Sequence, residues 1–243
     1  MSSLIQWLDI PLSTWLGCAL ILALGAFLQR ITGFGLAVVG APVLLMLEPR
    51  LVPVLLVLFG LTVSLMMVRH YWREVRFEHI GLALLGRLPG NALGIWLLLA
   101  APMVVLEKLI AAIVLFAVLV TLCRFRLAVN RLTLFGAGIL SGIFGTIAAI
   151  GGPPIALLLH AMPPDSVRGN LAAYFTLTSL LTLVTLALAG MVQLWHFQVA
   201  LSLLPAVLAG SVLADAIAHR VNKRWMQRLS ITLCTFAALM LLL

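Results

Sequence analysis

Arg87 stands in the middle of an apolar run, within Gly86-Arg87-Leu88-Pro89-Gly90-Asn91. A charge at the centre of a bilayer costs at least about 2.5–3.5 kcal/mol on insertion scales. A lone arginine there needs a partner or a task. Its fixed charge and forked donors suit the paired oxygens of a sulfonate, sulfite or carboxylate. Pro89 and Gly90 can break the helix beside it and free backbone amides next to Asn91. The alternatives are a structural ion pair or a side chain that snorkels to the interface.

Arg30 and Thr32 flank the start of a second constellation, Gly33-Phe34-Gly35. If this segment turns back inside the bilayer, its tip carries Arg30 and Thr32 to mid-membrane. The amides of Gly33 and Gly35 would then face an anion at a half-helix terminus. If the segment simply crosses, Arg30 is an anchor at its end. Gly151-Gly152-Pro153-Pro154 makes a matching break later in the chain. Glycine allows close backbone approach, and proline suits the first turn of a following helix. Tight helix packing through small residues is the alternative. Asn170 and Thr176 follow on the next apolar run, as cavity-lining groups or as interhelical hydrogen-bonders. Asp215 and His160 are candidates for proton coupling. Asp215 can equally cap a helix end near His219 and Arg220. No metal spacing and no cofactor motif are present. Cys18, Cys123 and Cys234 lie singly in apolar runs, as small hydrophobes.

The elements that must position these residues are membrane spans. Hydrophobic residues make up 64% of the 243 and charged residues only 9%. Mean hydropathy is +1.23. So few charges could not cover a soluble fold of this size. The net charge of +8 sits in short loops, where Lys and Arg set topology. No basic-aromatic module points to nucleic acid. The first eleven residues carry no basic region, so the first apolar run is expected to be retained. Trp72, Trp96, Trp195 and Trp225 fall near span ends, as an aromatic belt requires.

About 20 apolar residues cross a bilayer. Spans are expected near 51–69, 77–99, 104–123, 168–190, 197–218 and 225–243. Two further apolar regions, 13–47 and 132–161, are too long for one upright helix and too short for two full crossings. Glycine and proline interrupt both: Gly33, Gly35 and Gly40-Ala41-Pro42 in the first, Gly142, Gly145 and Gly151-Gly152-Pro153-Pro154 in the second. Such breaks survive in a membrane where the freed backbone is buried in protein or lines a cavity. Each region is expected to form a re-entrant hairpin of two half-helices. Two short crossings or one kinked helix are the alternatives.

The chain repeats itself. A shift of 120 lays Phe77–Cys123 over Phe197–Leu243, with Gly90 on Gly210, and a shift of 111 lays Gly40-Ala41-Pro42 on Gly151-Gly152-Pro153. Loop charges swap between the copies. Arg69, Arg73 and Arg76 have no Lys or Arg counterpart at 190–196, whereas Arg220, Lys223 and Arg224 match an uncharged 100–103. The two copies should therefore face opposite ways. The fold expected is all-α, a polytopic helical membrane protein. It is one domain over 1–243, with inverted-topology repeats at about 12–123 and 132–243. Each repeat is a re-entrant or broken hairpin plus three transmembrane helices. Paired broken helices in inverted repeats are a transporter signature.

Ile31-Thr32-Gly33-Phe34-Gly35, continuing to Pro42, resembles the first signature of the TauE/SafE family of bacterial sulfite and organosulfur exporters. Ser141-Gly142-Ile143-Phe144-Gly145, followed by Gly151-Gly152-Pro153-Pro154, resembles the second copy. The likeness covers essentially the whole chain. It implies transport of a small sulfur-containing or carboxylate anion across the bacterial inner membrane. The insertion of Thr146-Ile147-Ala148-Ala149 before the second glycine pair departs from the pattern and bears on the substrate more than on the fold.

The function expected is therefore a secondary transporter, an exporter of a small anion by alternating access, and not an enzyme. No P-loop, His-Glu-x-x-His or nucleophile elbow is present. The partners expected are the anion and the lipid bilayer, with a homodimer possible and no nucleic acid. A passive anion channel and an intramembrane scaffold or enzyme are the rivals. The inverted arrangement is checked by placing cysteines at positions 72 and 193. An impermeant maleimide should label them from opposite faces of the membrane, and labelling of both from one face would end it.

Overall fold

The computed structural model describes residues 9–33, 35–123, 128–159, 162–217 and, beyond these, 231–232, 235–236 and 238–239. Among the described residues the structure is helical with no strand. The helices are α1 (Leu12–Thr32), α2 (Leu36–Leu47), α3 (Val54–Tyr71), α4 (Gly81–Ala100), α5 (Met103–Cys123), α6 (Arg131–Ala148), α7 (Gly152–Leu159), α8 (Pro164–Leu188) and α9 (Leu194–Ile217). Seven of these are long and apolar enough to cross a membrane; α2 and α7 are not among them. The spans expected from the sequence match α3, α4, α5, α8 and α9 to within a few residues. The last expected span, 225–243, lies mostly outside the described residues.

The two broken regions differ from expectation in one respect. The first limb of each is a full-length helix, of 21 residues in α1 and 18 in α6. Only the returning limb is short, with 12 residues in α2 and 8 in α7. The turns lie at Gly33–Gly35 and at Ala149–Gly151. Gly33 closes α1 with φ +96° while its N–H donates to the Gln29 carbonyl, and Gly35 has φ +149°. Both angles suit glycine. Ala149 takes the left-handed conformation at the end of α6, and the Ile150 N–H donates to the Phe144 carbonyl.

Gly142 and Gly145 do not break α6, Gly40 and Pro42 lie inside α2, and Pro89-Gly90 lies inside an unbroken α4. The reason is packing. A glycine's missing side chain costs helix stability, yet it lets two helices touch backbone to backbone. A Cβ on Gly86 would overlap the Phe135 carbonyl, one on Gly90 the Ile139 carbonyl, and one on Gly138 the Ala83 carbonyl. Gly142 rests on Gly90 itself. Gly86, Gly90 and Gly94, four residues apart, form one stripe along α4, set against Gly138 and Gly142 of α6.

α4 and α6 thus run parallel in close contact. α1 and α9 do the same. Trp15 Nε1 donates to Ser202 Oγ at 3.0 Å, Gly210 packs on the Ala23 carbonyl, and Arg30 pairs with Asp215 at 2.6 Å. Between the two pairs, α3 and α8 lie antiparallel. Gly60 faces Ser179, Val54 and Val57 pack with Leu186, and Gly169 approaches Tyr71. Each long first helix therefore lies along a helix of the other half of the chain. α1 and α6 run in opposite directions, as do α3 and α8, and α4 and α9. The two ends of the bundle are marked by Asp9, Arg50 and Trp195 on one side, and by Tyr71, Arg168 and Asp215 on the other. They are called the Arg50 end and the Arg168 end below.

Gly90→Ala should destabilise the protein in detergent by about 2 kcal/mol or more, because neither backbone can yield without separating the helices. Gly136→Ala, on the same pair but with open space around it, should be neutral or stabilise by up to about 1 kcal/mol. Thermal unfolding of the two variants checks the contrast.

Candidate functional site

The glycine stripe decides where Arg87 goes. With α4 pressed onto α6, its guanidinium passes over the turn between α6 and α7. A Cβ on Gly145 or Gly151 would collide with it. The two glycines form the slot that the cation fills. Arg87 is 3% exposed. Its Nη1 donates to the Ser141 carbonyl and, at 2.7 Å, to Ser141 Oγ. Nη2 donates to Thr182 Oγ1 of α8 at 3.1 Å. One turn further on, Asn91 Nδ2 donates to the same Thr182 oxygen at 3.2 Å. Ser141 Oγ donates to the Gly151 carbonyl at 2.6 Å, which ties the turn to α6.

These partners are neutral. Ion pairs among the described residues involve Arg30, Arg50 and Arg168; Arg87 is in none of them. Its Nε has no acceptor, and the Tyr174 hydroxyl, buried beside Arg87 and Ser141, has no well-formed hydrogen bond. A buried cation without a counter-ion is unstable by several kcal/mol unless something anionic joins it.

Arg87 borders a cavity of about 40 Å³. The cavity lies between both turns. Gln29, Gly35, Ala37 and Val38 line it from the first, and Gly145, Ala149, Gly151 and Gly152 from the second. Gly60 and Ser64 of α3 and Thr178, Ser179 and Thr182 of α8 close its sides. Gln29 Nε2 and Ser64 Oγ lie 3.4 Å apart across from Arg87. α2 and α7 both begin at this cavity, so two helix N-termini add positive potential to that of the guanidinium.

Of the residues singled out in the sequence, Arg87, Gly35, Gly151 and Gly152 meet at the cavity. Asn91 joins them through Thr182. Pro153 is buried in the first turn of α7. The rest lie elsewhere. A hairpin tip carrying Arg30 and Thr32 to mid-membrane is not what forms. α1 is long enough to cross, at about 1.5 Å per residue, and both residues fall in its last turn. Arg30 donates to both oxygens of Asp215, at 2.6 and 2.8 Å. The Thr32 hydroxyl donates to the Leu28 carbonyl, and the Gly33 amide is already used by Gln29. Asp215 meets Arg30; the expected cap near His219 and Arg220 falls on residues outside the described ones. Asn170 accepts from the Arg76 amide and donates to the Glu74 carbonyl, so it pins the α3–α4 loop to α8. Thr176 bonds the Ala172 carbonyl of its own helix. His160 lies outside the described residues.

Gln29, Ser64, Tyr174 and the Thr178–Thr182 row were not legible as cavity residues, their only signal being polarity inside an apolar run; Ser141 stood in the sequence only as the first residue of the second glycine-rich motif. Among the described residues no group of three His, Cys, Asp or Glu lies close enough to hold a metal. At the Arg50 end, the hydrogen bonds from Arg50 hold the Glu48 carboxyl below the usual carboxylate range. Glu48 in turn pushes the Arg50 guanidinium up.

The family model described as "Sulfite exporter TauE/SafE" matches residues 18–241. The chain belongs to the TauE/SafE family. No curated protein and no solved structure gives a significant match. TauE/SafE is a transporter family, and with seven apolar helices of spanning length among the described residues the chain is a multi-pass membrane protein of that kind. Both glycine-rich turns at the cavity fall within the stretch matched to TauE/SafE.

Arg30 and Asp215 form an ion pair in which the Arg30 side chain is buried and the Asp215 side chain 50% exposed. Asp215→Asn should lower stability by about 1–2 kcal/mol, less than for a fully buried pair because water reaches the carboxylate. Adding Arg30→Gln should recover part of the loss. A double-mutant cycle on unfolding in detergent checks this, and additive losses would remove the pair from the account.

Proposed function

We propose that the protein is a secondary transporter that exports a small oxyanion, of the sulfite or sulfonate class, across the bacterial inner membrane. The observation that carries this is the buried guanidinium of Arg87, held by neutral groups at a cavity shared by both turns. An anion there would bond to Arg87, the missing counter-charge would be supplied, and the Gln29–Ser64 side would offer further donors. A cavity of about 40 Å³ holds roughly three waters. That size favours a compact oxyanion such as sulfite over a long organosulfonate.

The two halves, on this proposal, are inverted repeats, and alternating access follows from their packing. The reciprocal pairing of α1 with α9 and of α6 with α4 supports it. The tight backbone contacts lie between halves, so the units that move are the parallel pairs and not the halves themselves. The α1/α9 pair would tilt against α3/α8, opening the cavity first to one face and then to the other. Saturable flux driven by an ion or proton gradient distinguishes this from a channel.

Purified protein in liposomes should carry sulfite, and larger sulfonates more slowly. Arg87→Ala should cut the flux by about tenfold or more, the value of a lost charge-assisted hydrogen bond. Full flux in Arg87→Ala would remove the site. No flux for any anion from folded wild-type protein would remove the function.

A further inference from the structure

Two arginines away from the cavity join the α3/α8 pair to the α1/α9 pair, one at each end of the bundle. Arg50 lies in the turn after α2, leading into α3. Its guanidinium sits 4.8 Å from the centroid of the Trp195 ring, at the start of α9. Glu48 accepts two hydrogen bonds from it, at 2.7 and 3.0 Å. The Arg50 carbonyl is hydrogen-bonded to His196 Nε2 at 3.1 Å.

Arg168 lies in the first turn of α8, after α7, at the opposite end. It is 5.9 Å from the centroid of the Tyr71 ring and donates to the Tyr71 hydroxyl at 3.2 Å. A second donor reaches the Ile31 carbonyl in the last turn of α1, at 2.8 Å. Asp165 accepts a third bond at 3.2 Å. The two sets share a plan. Each arginine follows the short helix of its own half, is held by an acid two or three residues before it, and reaches an aromatic ring and a backbone or ring partner in the other half.

We propose that these clamps are the two gates of the transport path, Arg50–Trp195 at one mouth and Arg168–Ile31 at the other, with Tyr71 orienting Arg168 from within its own α3/α8 pair. The inference rests on the alternating-access reading given above. Tilting of α1/α9 against α3/α8 breaks one clamp and keeps the other, because the bonds lie at opposite ends of the same interface. Cation–π and single hydrogen bonds suit the task. They are strong enough to bias a population and weak enough to break on every cycle. The Arg168 clamp is the stronger, since its arginine side chain is 15% exposed against 53% for Arg50.

Access to the cavity, read without any cargo, tests this. Gly60 lines the cavity, and its nearest neighbour to an added Cβ is Ser179 Oγ at 4.0 Å, so Gly60→Cys fits. The reporter is made with the three native cysteines replaced by alanine and placed in oriented proteoliposomes. Arg168→Gln should raise the rate of impermeant maleimide labelling about tenfold from the Arg168 face only. Arg50→Gln should raise it about threefold from the Arg50 face only. Trp195→Leu should act from the Arg50 face, and Tyr71→Phe, which frees Arg168 without touching its bond to α1, more weakly from the Arg168 face; both guard against a misfolded arginine variant. Labelling raised from the opposite face, from both faces, or from neither in monodisperse protein would overturn the assignment. Sided labelling in a protein that carries no anion would leave the gates standing and remove only the cargo.

Discussion

The bundle is organised around a cation that its neighbouring side chains do not neutralise. Arg87 is placed by contact between α4 and α6 so close that no side chain fits between them at Gly86, Gly90, Gly138 or Gly142. Gly145 and Gly151 then leave the volume that the guanidinium occupies. Ser141 and Thr182 hold its donors without cancelling its charge. Replacing any of these glycines moves either the helix or the cation. Membrane helices gain little from apolar contact with one another, since lipid is equally apolar. Close backbone packing therefore has to supply the cohesion that fixes the charge.

Much of this was legible in the sequence. A charged residue at the centre of an apolar run is expensive, so Arg87 stands out by its position alone. Span length is set by bilayer thickness, so α3, α4, α5, α8 and α9 could be read within a few residues. The turns were located at the right glycines. Their reach was not. Gly142 and Gly145 look the same in a sequence whether they break a helix or face one. Only the identity of the opposite surface decides, and that surface is α4, some fifty residues away. The same ambiguity misplaced Arg30, whose depth depends on whether α1 stops halfway or crosses. Its partner Asp215 lies 185 residues later, beyond what local spacing can reveal.

The two halves share a path but not a chemistry. The shift of 120 that lays Gly90 on Gly210 lays Arg87 on Val207. Both glycines pack on a carbonyl of the other half's long first helix, Ile139 for Gly90 and Ala23 for Gly210. The packing rule is therefore held in common, and the charge belongs to one side. On the proposed reading of the two halves as inverted repeats, one cation would make one binding position where strict symmetry would give two.

Pro153 and Pro154 open α7 at the cavity. Proline has no amide hydrogen, so two of the first three positions of that helix have none to offer. The helix keeps the field of its aligned peptides but loses most of the directional contacts that usually accompany it. The first turn of α2, Leu36-Ala37-Val38, keeps its amides. A visitor to the cavity would meet a surface of oriented hydrogens on one wall and an almost smooth electrostatic slope on the other. On the proposed transport reading, the smooth wall would set no preferred angle of departure. Residence time in the cavity would then be governed by how quickly Arg87 and the α2 turn let go.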